Sequence, residues 1–419
     1  MIHENEVLPV IYLYDEEIAH FKESASIYTI GNAYTWENED VVHLHISQVM
    51  HSFGKKTKCL FTSSSVSNDI LELCDKEDIE WLVSTYDDNI SVFHSPFELC
   101  EINVNVVPAK ADLYSRSKGI LEIGILENKH VAIIGLGSFG SQIAIELSKA
   151  GVGEYSLFDF DRVELHNLAR HTCTIKDLGR LKTDAIEEAV LGKNPYAIVH
   201  KYPIDITKNL ELLDSLLPSI DIVLCATDNN KSRIELSELL HKHQKIGIFG
   251  RAITRAEGGD VFRYHPGGPC YCCMIGKIGT VDEEITGLES GLNNGQIPQY
   301  ADNPEALVQV GLSSDIEPIC NMMIKLTLVE LSRGKQSGIQ SLEEELVYDY
   351  YIWVNRRDNK YSNWYAMPKA GAMPTIMRWY GAHIQKLDNC ALCSTLSDDI
   401  ELDEGDADEM LLQNITNVE

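Results

Sequence analysis

The sequence predicts an α/β protein whose main sheet is parallel and carries helices on both faces. The first observation is the run 130–170, in which a buried apolar strand, a glycine-rich turn, a helix and a second strand follow one another. The second is that strands and helices keep alternating beyond this run, as βαβ units do. The third is that Ile222–Thr227 is nearly all apolar, as expected of a parallel strand covered on both faces.

The glycine-rich turn points to a phosphate ligand. Gly135, Gly137 and Gly140 form the pattern GxGxxG between the strand Val131–Ile134 and a helix that runs to about Ala150. Such glycines let backbone N–H groups approach a phosphate at a helix N-terminus, where the helix dipole favours negative charge. Taken alone, this pattern leaves a nicotinamide-dependent dehydrogenase as one open interpretation.

The polar residues after the second strand favour a different class of enzyme. The strand Glu154–Phe158 ends at Asp159, whose carboxylate can accept hydrogen bonds from ribose hydroxyls. Further charged and amide side chains then follow along the chain: Asp161, Asn167, Arg170, Lys182, Asp228 and Asn229. A dinucleotide oxidoreductase has no use for such a set. An enzyme that adenylates a carboxylate needs it, because it must hold a triphosphate, place Mg²⁺ and neutralise charge at the α-phosphate.

This combination resembles the ThiF/MoeB family, which includes the adenylation domains of ubiquitin-activating enzymes. The resemblance covers about Tyr114 to Gly334 and rests on GxGxxGS, DxDxVxxxNxxRH, GxxK and a strand that ends in TDN. It implies a Rossmann-like, doubly wound mixed sheet and a standalone enzyme of the bacterial type. The implied cofactors are ATP and Mg²⁺, and a homodimer is the implied assembly.

The resemblance also implies roles for single residues. Arg170 and Lys182 would stabilise the α-phosphoryl group during transfer, and Asp228 would organise Mg²⁺. Arg116 would reach the phosphates, often those of the opposite subunit, although an ordinary exposed arginine at a helix start fits its position equally well. The implied nucleotide contacts are Gly135, Gly137, Gly140, Ser141, Asp159, Asp161, Asn167 and Asn229. Arg251 and Arg255 would meet the substrate or its carboxylate; the alternative is that they are ordinary surface charges.

Two CxxC pairs predict a structural zinc site. Cys270 and Cys273 form the first pair and Cys390 and Cys393 the second, which together make the ligand set of a tetrahedral zinc. In this interpretation zinc would hold the C-terminal β region against the catalytic domain. The alternative is four unrelated thiols.

The substrate that the resemblance implies is the C-terminal carboxylate of a ubiquitin-like or sulfur-carrier protein. A thioester and transfer to a conjugating enzyme would follow in many family members, but no cysteine occurs between Met274 and Ile319, in or just after the expected crossover loop at about 274–306. Cys272, Cys320 and Cys173 are weak candidates. Two alternatives stay open: a small carboxylate or peptide substrate, and a non-catalytic ThiF-like partner subunit.

Composition limits the partners and the compartment. A net charge of −29 leaves no basic face for nucleic acid. No apolar run is long enough to span a membrane, and the first residues lack the pattern of a signal peptide. Eleven cysteines without such a signal favour a reducing compartment, so we expect a cytoplasmic protein.

Three domains are predicted. Short apolar runs and a helix from Asn68 to Lys76 indicate an N-terminal α/β or α+β accessory domain at 1–110, of unknown role. The adenylation domain would span 111–394. Within it we expect a helix from Gly179 to Leu191, an antiparallel strand from Gly258 to His265 and a strand from Glu344 to Arg357. The remainder, 395–419, is strongly acidic and is expected to be a disordered tail.

Overall fold

The computed structural model describes residues 10–24, 26–36, 39–46, 55–96, 98–99, 104–252, 256–278, 311–356 and 376–394. The chain divides into two compact units, Met1–Lys118 and Gly119–Glu419. Arg255, most of the expected crossover loop and the acidic tail lie outside the described residues.

The described residues contain sixteen strands and eleven α-helices. The strands are β1 (Val10–Tyr14), β2 (Tyr28–Trp36), β3 (Glu39–His45), β4 (Lys55–Thr62), β5 (Trp81–Ser84), β6 (Ser91–His94), β7 (Glu98–Leu99), β8 (Val104–Val107), β9 (His130–Ile134), β10 (Glu154–Phe158), β11 (Ile198–Tyr202), β12 (Ile222–Cys225), β13 (Ile246–Ala252), β14 (Gly258–Tyr264), β15 (Tyr350–Val354) and β16 (Arg378–Ala382). The helices are α1 (Asp15–Glu23), α2 (Asn68–Glu77), α3 (Ala109–Leu113), α4 (Ile123–Leu126), α5 (Ser138–Ala150), α6 (Lys182–Leu191), α7 (Leu210–Leu216), α8 (Asn230–His243), α9 (Tyr271–Ile278), α10 (Ser313–Ser332) and α11 (Ser341–Glu345).

The first unit is a mixed sheet with a helix on each face. Its strand order is β7-β6-β5-β4-β2-β3-β1-β8. Phe61 of β4 packs in one apolar cluster with Phe21 of α1, whereas the adjacent Leu60 packs in another with Ile70 of α2. Neighbouring residues of a strand point to opposite faces, so α1 and α2 cover opposite sides of the sheet. Among the described residues, no group that could bind a metal is found in this unit.

The second unit is built on a sheet of order β11-β10-β9-β12-β13-β14-β15-β16. The strands from β11 to β13 are parallel, and β14 to β16 extend the sheet in antiparallel fashion. Two apolar cores cover its faces: Ile133 and Leu224 pack with α5 and α10, while Ile134 and Val223 pack with α7, α8 and α9. The predicted fold class, a doubly wound mixed sheet, is therefore confirmed.

The strand order reverses between β9 and β12, which is where open α/β sheets bind ligands. Ile134 is level with Phe158 of β10 and with Cys225 of β12. The three strands therefore end side by side. The glycine turn, Asp159 and Asp228, which follow these strands, come out at one edge of the sheet.

Two predicted elements are wrong in their extent. The helix expected from Gly179 begins only at Lys182, because Gly179 has a positive φ of 84° and Leu181 pairs with Arg162 in an isolated β-bridge. The single strand expected over 344–357 is instead the end of α11, a bend and then β15. The bend is held by Arg263, whose guanidinium donates to the backbone carbonyls of Leu346 and Tyr348.

No helix of the described residues is long and apolar enough to cross a membrane.

Candidate functional site

The glycine turn has room for a ligand at only one of its three glycines. A Cβ on Gly135, where φ is +88°, would lie 2.9 Å from the carbonyl oxygen of Ala226 at the end of β12. A Cβ on Gly140 would lie 1.9 Å from the carbonyl oxygen of Gly135. At Gly137, by contrast, nothing lies within 4 Å. Gly137 is also the N-cap residue of α5 and has no side chain to cap the helix, whose first N–H groups have no acceptor within the helix itself.

Leu136, in the middle of this turn, is fixed by two side chains. Its N–H donates to Oδ2 of Asp159 at 2.7 Å, and its carbonyl oxygen lies 2.6 Å from Nε2 of His171. The other oxygen of Asp159 accepts from the N–H of Asp161 at 2.8 Å. Asp159, predicted to hold ribose, is 9% exposed, and its carboxylate fixes the backbone of the glycine turn.

Lys182 lies beside this carboxylate. Its Nζ is 2.7 Å from Oδ2 of Asp161 and 3.8 Å from Oδ1 of Asp159, and the residue is 7% exposed. The backbone brings it there: the N–H of Lys182 donates to the carbonyl of Asp161 at 3.0 Å. Position 182 is thus tied to the end of β10 by main chain and side chain, which places a cation next to the glycine turn.

The sequence prediction missed His171. Its Nε2 faces a carbonyl and its Nδ1 accepts the N–H of Cys173 at 3.0 Å, so the ring is the neutral Nε2–H tautomer. Burial lowers the pKa of His171, and the charge of Lys182 adds to that effect against the opposing contact with Leu136. The only signal in the sequence was its position directly after Arg170.

The structure brings Arg170 close to Asp228, which follows strand β12. Arg170 follows a 3₁₀ turn, Leu165–Ala169, and is half-buried. Burial lowers the pKa of Arg170, and the negative charge of Asp228 opposes that shift. Asp228 itself is exposed. The cation and the carboxylate are therefore electrostatic neighbours at the edge of the sheet.

Three other predicted nucleotide contacts have structural tasks. Oδ1 of Asn167 accepts the N–H of Glu164 at 2.9 Å, which closes the 3₁₀ turn before Arg170. Oδ1 of Asn229 accepts the N–H of Ser232 at 2.9 Å and caps α8. Ser141 is fully buried in α5. Their part in nucleotide binding stays a prediction.

The predicted arginines outside this edge divide into two kinds. Arg116 is exposed and belongs to the first compact unit, so its role stays a prediction. Arg251, considered as a contact for the substrate carboxylate, is 2% exposed. Its guanidinium pairs with both oxygens of Asp260, at 2.8 and 2.6 Å. That expectation is wrong for Arg251, because its charge is neutralised inside the sheet.

The four predicted zinc ligands lie close together and form a group that we call the cysteine cluster, which consists of Cys270, Cys273, Cys390 and Cys393. The Sγ atoms of Cys270 and Cys390 are 3.4 Å apart, as are those of Cys273 and Cys393, and all four lie within 4.8 Å of one another. Tetrahedral zinc with bonds of about 2.3 Å sets its sulfur ligands roughly 3.8 Å apart. The N–H of Leu387 points at Sγ of Cys273 at 3.4 Å, a contact typical of a thiolate ligand. The residues therefore fit zinc.

The remaining thiols considered as nucleophiles do not share one environment. Cys320 is 1% exposed, and burial raises its pKa. Burial also raises the pKa of the Cys173 thiol to about 12. Both thiols are therefore poor nucleophiles at neutral pH. Cys272 is half-buried and lies in the first turn of helix α9, between Cys270 and Cys273.

A parallel sheet whose strand order reverses beside a glycine turn, with an acid at the end of the next strand, is typical of Rossmann-like α/β domains. The model of the ThiF family matches residues 121–333, half of the chain, and the chain belongs to that family.

Curated relatives support the assignment. The adenylyltransferase and sulfurtransferase MOCS3 of Drosophila virilis is 32% identical over 189 residues, which cover 42% of this chain and 40% of that protein. The molybdopterin-synthase adenylyltransferase of Escherichia coli K12 is 32% identical over 169 residues, covering 40% of this chain and 66% of that protein. The chain thus matches less than half of the first and about two thirds of the second.

A solved structure of E. coli MccB with MccA-N7isoASN is similar over 65% of this chain and 69% of that chain, at 17% identity and a TM-score of 0.47.

Proposed function

We propose that this protein is an ATP- and Mg²⁺-dependent enzyme that adenylates the C-terminal carboxylate of a ubiquitin-like or sulfur-carrier protein in the cytoplasm. The observation that carries the proposal is that both backbone groups of Leu136, in the glycine turn, are hydrogen-bonded to side chains. Its N–H is held by Asp159, which neighbours Lys182, and its carbonyl by His171, which follows Arg170. Each of the two residues that hold this turn thus has a cationic residue beside it, Lys182 in space and Arg170 in sequence.

The chemistry needs positioning and charge stabilisation more than a protein nucleophile. A substrate carboxylate oxygen attacks the α-phosphorus of ATP, a bond to that phosphorus forms, and the bond to pyrophosphate breaks. Lys182 and Arg170 would balance the negative charge that builds on the α-phosphoryl oxygens. Asp228 would hold Mg²⁺, which neutralises phosphate charge when bound. The relatives that are named adenylyltransferases support this class of reaction.

Asp159 is suited to ribose because it is fixed before any ligand arrives. Both of its oxygens accept backbone N–H groups, which hold the carboxylate in one orientation. Each oxygen retains further acceptor capacity for a hydroxyl. The proposal does not include a defined thioester cysteine, since Cys173 and Cys320 are buried with raised pKa values.

The test is exchange of labelled pyrophosphate into ATP in the presence of candidate carrier proteins. We expect Lys182→Ala and Arg170→Ala each to lower the exchange rate by about a hundredfold or more, the scale of a lost transition-state contact. Lys149→Ala is a matched control, because Lys149 is an exposed lysine on α5 whose side chain pairs with Glu146. Exchange that persists in both variants would contradict the assignment.

Non-reducing gels of the same mixtures report the next step. A thiol-sensitive conjugate would show that a thioester forms and that transfer to a conjugating enzyme is open. Exchange without a conjugate would show adenylation followed by direct transfer.

A further inference from the structure

A tyrosine next to the cysteine cluster in sequence makes hydrogen bonds to a neighbouring helix. Tyr271 stands between Cys270 and Cys273 and is fully buried. Its ring packs against Phe249, with ring centroids 5.0 Å apart, so its orientation is set by the sheet. The cluster and the aromatic packing together leave its two polar groups, the N–H and the hydroxyl, aimed at α8.

Both polar groups find partners on α8. The N–H of Tyr271 donates to Oγ of Ser237 at 3.1 Å, and the hydroxyl donates to Oδ1 of Asn230 at 3.2 Å. Asn230 is the first residue of α8, and Ser237 lies two turns further along. Tyr271, the first residue of α9, is therefore bonded to α8 at two points that are two helical turns apart.

The same side-chain oxygen of Asn230 is also hydrogen-bonded to a buried arginine. Its Oδ1 also accepts from Nη1 of Arg233 at 3.2 Å. Nη2 of Arg233 donates to the carbonyl oxygen of Thr227 at 2.6 Å, and the residue is 3% exposed. Thr227 is the residue directly before Asp228. A continuous chain of hydrogen bonds thus runs from Tyr271, the covalent neighbour of Cys270, to the loop that carries the proposed Mg²⁺ ligand.

The same loop, residues 227–229, is also held by hydrogen bonds to the first turn of α8. Oγ1 of Thr227 lies 2.6 Å from Oγ of Ser232, which donates to the carbonyl of Asn229 at 3.0 Å. These bonds lie within the loop and the first turn of α8. They fix the shape of the loop, whereas Tyr271 and Arg233 fix its position relative to the sheet.

We propose that Tyr271 is a positioning residue that couples the cysteine cluster to Asp228 through Asn230 and Arg233. In this role the zinc site does more than hold the C-terminal region, because a filled cluster keeps the Tyr271 hydroxyl on Asn230. The inference rests on the proposed function for the role of Asp228. The coupling itself rests only on the hydrogen bonds described.

The chain offers a matched pair of variants. Tyr264 is also fully buried beside the cluster, but its hydroxyl lies 3.1 Å from Nδ1 of His241 at the far end of α8. Tyr271→Phe and Tyr264→Phe therefore remove the same atom at the same depth. Only the first removes it from the path to Asp228.

We expect Tyr271→Phe to raise the Mg²⁺ concentration for half-maximal pyrophosphate exchange by about fivefold, the scale of one lost neutral hydrogen bond. Tyr264→Phe should leave this value unchanged. Both variants should keep one zinc per chain by metal analysis. An Asn230→Ala background should abolish the effect of Tyr271→Phe, because the path is already interrupted.

Hydrogen exchange provides a readout that does not depend on activity. Amides in the segment 227–233 should exchange faster in Tyr271→Phe, and faster again after zinc is removed from the wild-type protein by a chelator. In Tyr264→Phe they should exchange at the wild-type rate. Removal of zinc tests the cluster, and the variant tests the hydroxyl.

The outcomes separate the two proposals. Wild-type exchange rates at 227–233 and a wild-type Mg²⁺ requirement in Tyr271→Phe, with zinc retained, would overturn the coupling and leave the proposed function intact. A wild-type protein with no pyrophosphate exchange would overturn the proposed function, while the hydrogen-exchange comparison would still decide the coupling. An equal effect in Tyr264→Phe would also overturn it, since any buried hydroxyl near the cluster would then suffice.

Discussion

The glycines of the turn give a prediction at the scale of single residues. Gly137→Ala should leave thermal stability close to that of the wild type, because φ there is −72° and a Cβ would meet nothing within 4 Å. It should nevertheless weaken ATP binding by about tenfold, since the methyl group occupies the space where backbone approaches phosphate. Calorimetric titration with ATP and a thermal unfolding scan measure the two effects.

Gly140→Ala is the control with the opposite pattern. Its Cβ would lie 1.9 Å from the carbonyl oxygen of Gly135, and two backbone segments cannot relax around that contact. We expect a loss of about 3 kcal/mol in the free energy of unfolding, as for an overpacked core. A Gly137→Ala variant that binds ATP like the wild type would contradict phosphate binding at this turn.

Some single-residue features could be predicted from the sequence, and others became clear only from the structure. Gly135, Asp159 and Asp228 could be placed from the sequence, because each follows a strand that ends at the same edge. The neutral state of His171 and the burial of Arg251 could not, because each depends on partners from distant parts of the chain. Arg251 pairs with Asp260 across β13 and β14, and a local pattern does not show that register.

At the scale of elements, one carboxylate joins β14 to α10. Glu330 of α10 accepts from Nη1 of Arg263 at 2.9 Å and from both ends of the Arg333 guanidinium, at 2.8 and 2.6 Å. His265 lies 3.4 Å away. Burial alone would raise the pKa of Glu330, but the hydrogen bonds from Arg333 and His265 and the charge of Arg263 lower it to about 2.

The lowered pKa sets the direction of a pH dependence. The folded value lies below the ordinary 4.5, so this carboxylate stabilises the fold above pH 4.5 and loses its effect as the pH falls toward 2. We expect Glu330→Gln to lower the free energy of unfolding at pH 7 by on the order of 3 kcal/mol, because Arg263 is left buried without its counter-ion.

Urea unfolding between pH 7 and pH 3 measures this effect. The loss caused by Glu330→Gln should shrink as the pH falls below 4.5. Glu344→Gln, an exposed change on α11, is the control and should leave the curve unchanged. A Glu330→Gln effect that is the same at pH 3 and pH 7 would show that size or packing, not charge, carries the stabilisation.

Element boundaries were predictable where local patterns decide them. The strand Glu154–Phe158 and the antiparallel strand after Gly258 follow from apolar runs and turn residues. The start of α6 and the bend before β15 were predicted wrongly, because a β-bridge to Arg162 and the side chain of Arg263 decide them. Those partners lie 19 and more than 80 positions away along the chain.

At the scale of the whole molecule, the predicted homodimer and Arg116 share one test. If Arg116 acts on the site of the opposite subunit, Arg116→Ala and Lys182→Ala should each be inactive alone but recover activity when their subunits are exchanged. Random pairing makes half of the dimers mixed, each with one intact site, so recovery should approach about one quarter of the wild-type rate.

Pyrophosphate exchange measured after mixing, with sedimentation to establish the dimer, gives the result. A mixture that stays inactive would place Arg116 in its own subunit. An active Arg116→Ala variant would show that Arg116 is an ordinary exposed residue.

The sequence separation of the two cysteine pairs has a consequence for the order in which the chain folds during synthesis. Cys270 and Cys390 are 120 positions apart, so the second pair of thiols is synthesised long after the glycine turn, Lys182 and Asp228. A chain still growing on the ribosome can therefore fold its parallel strands while the cluster remains open. The loop before α8 would reach its final position only when the last cysteine emerges, which delays a competent site until the catalytic unit is nearly complete.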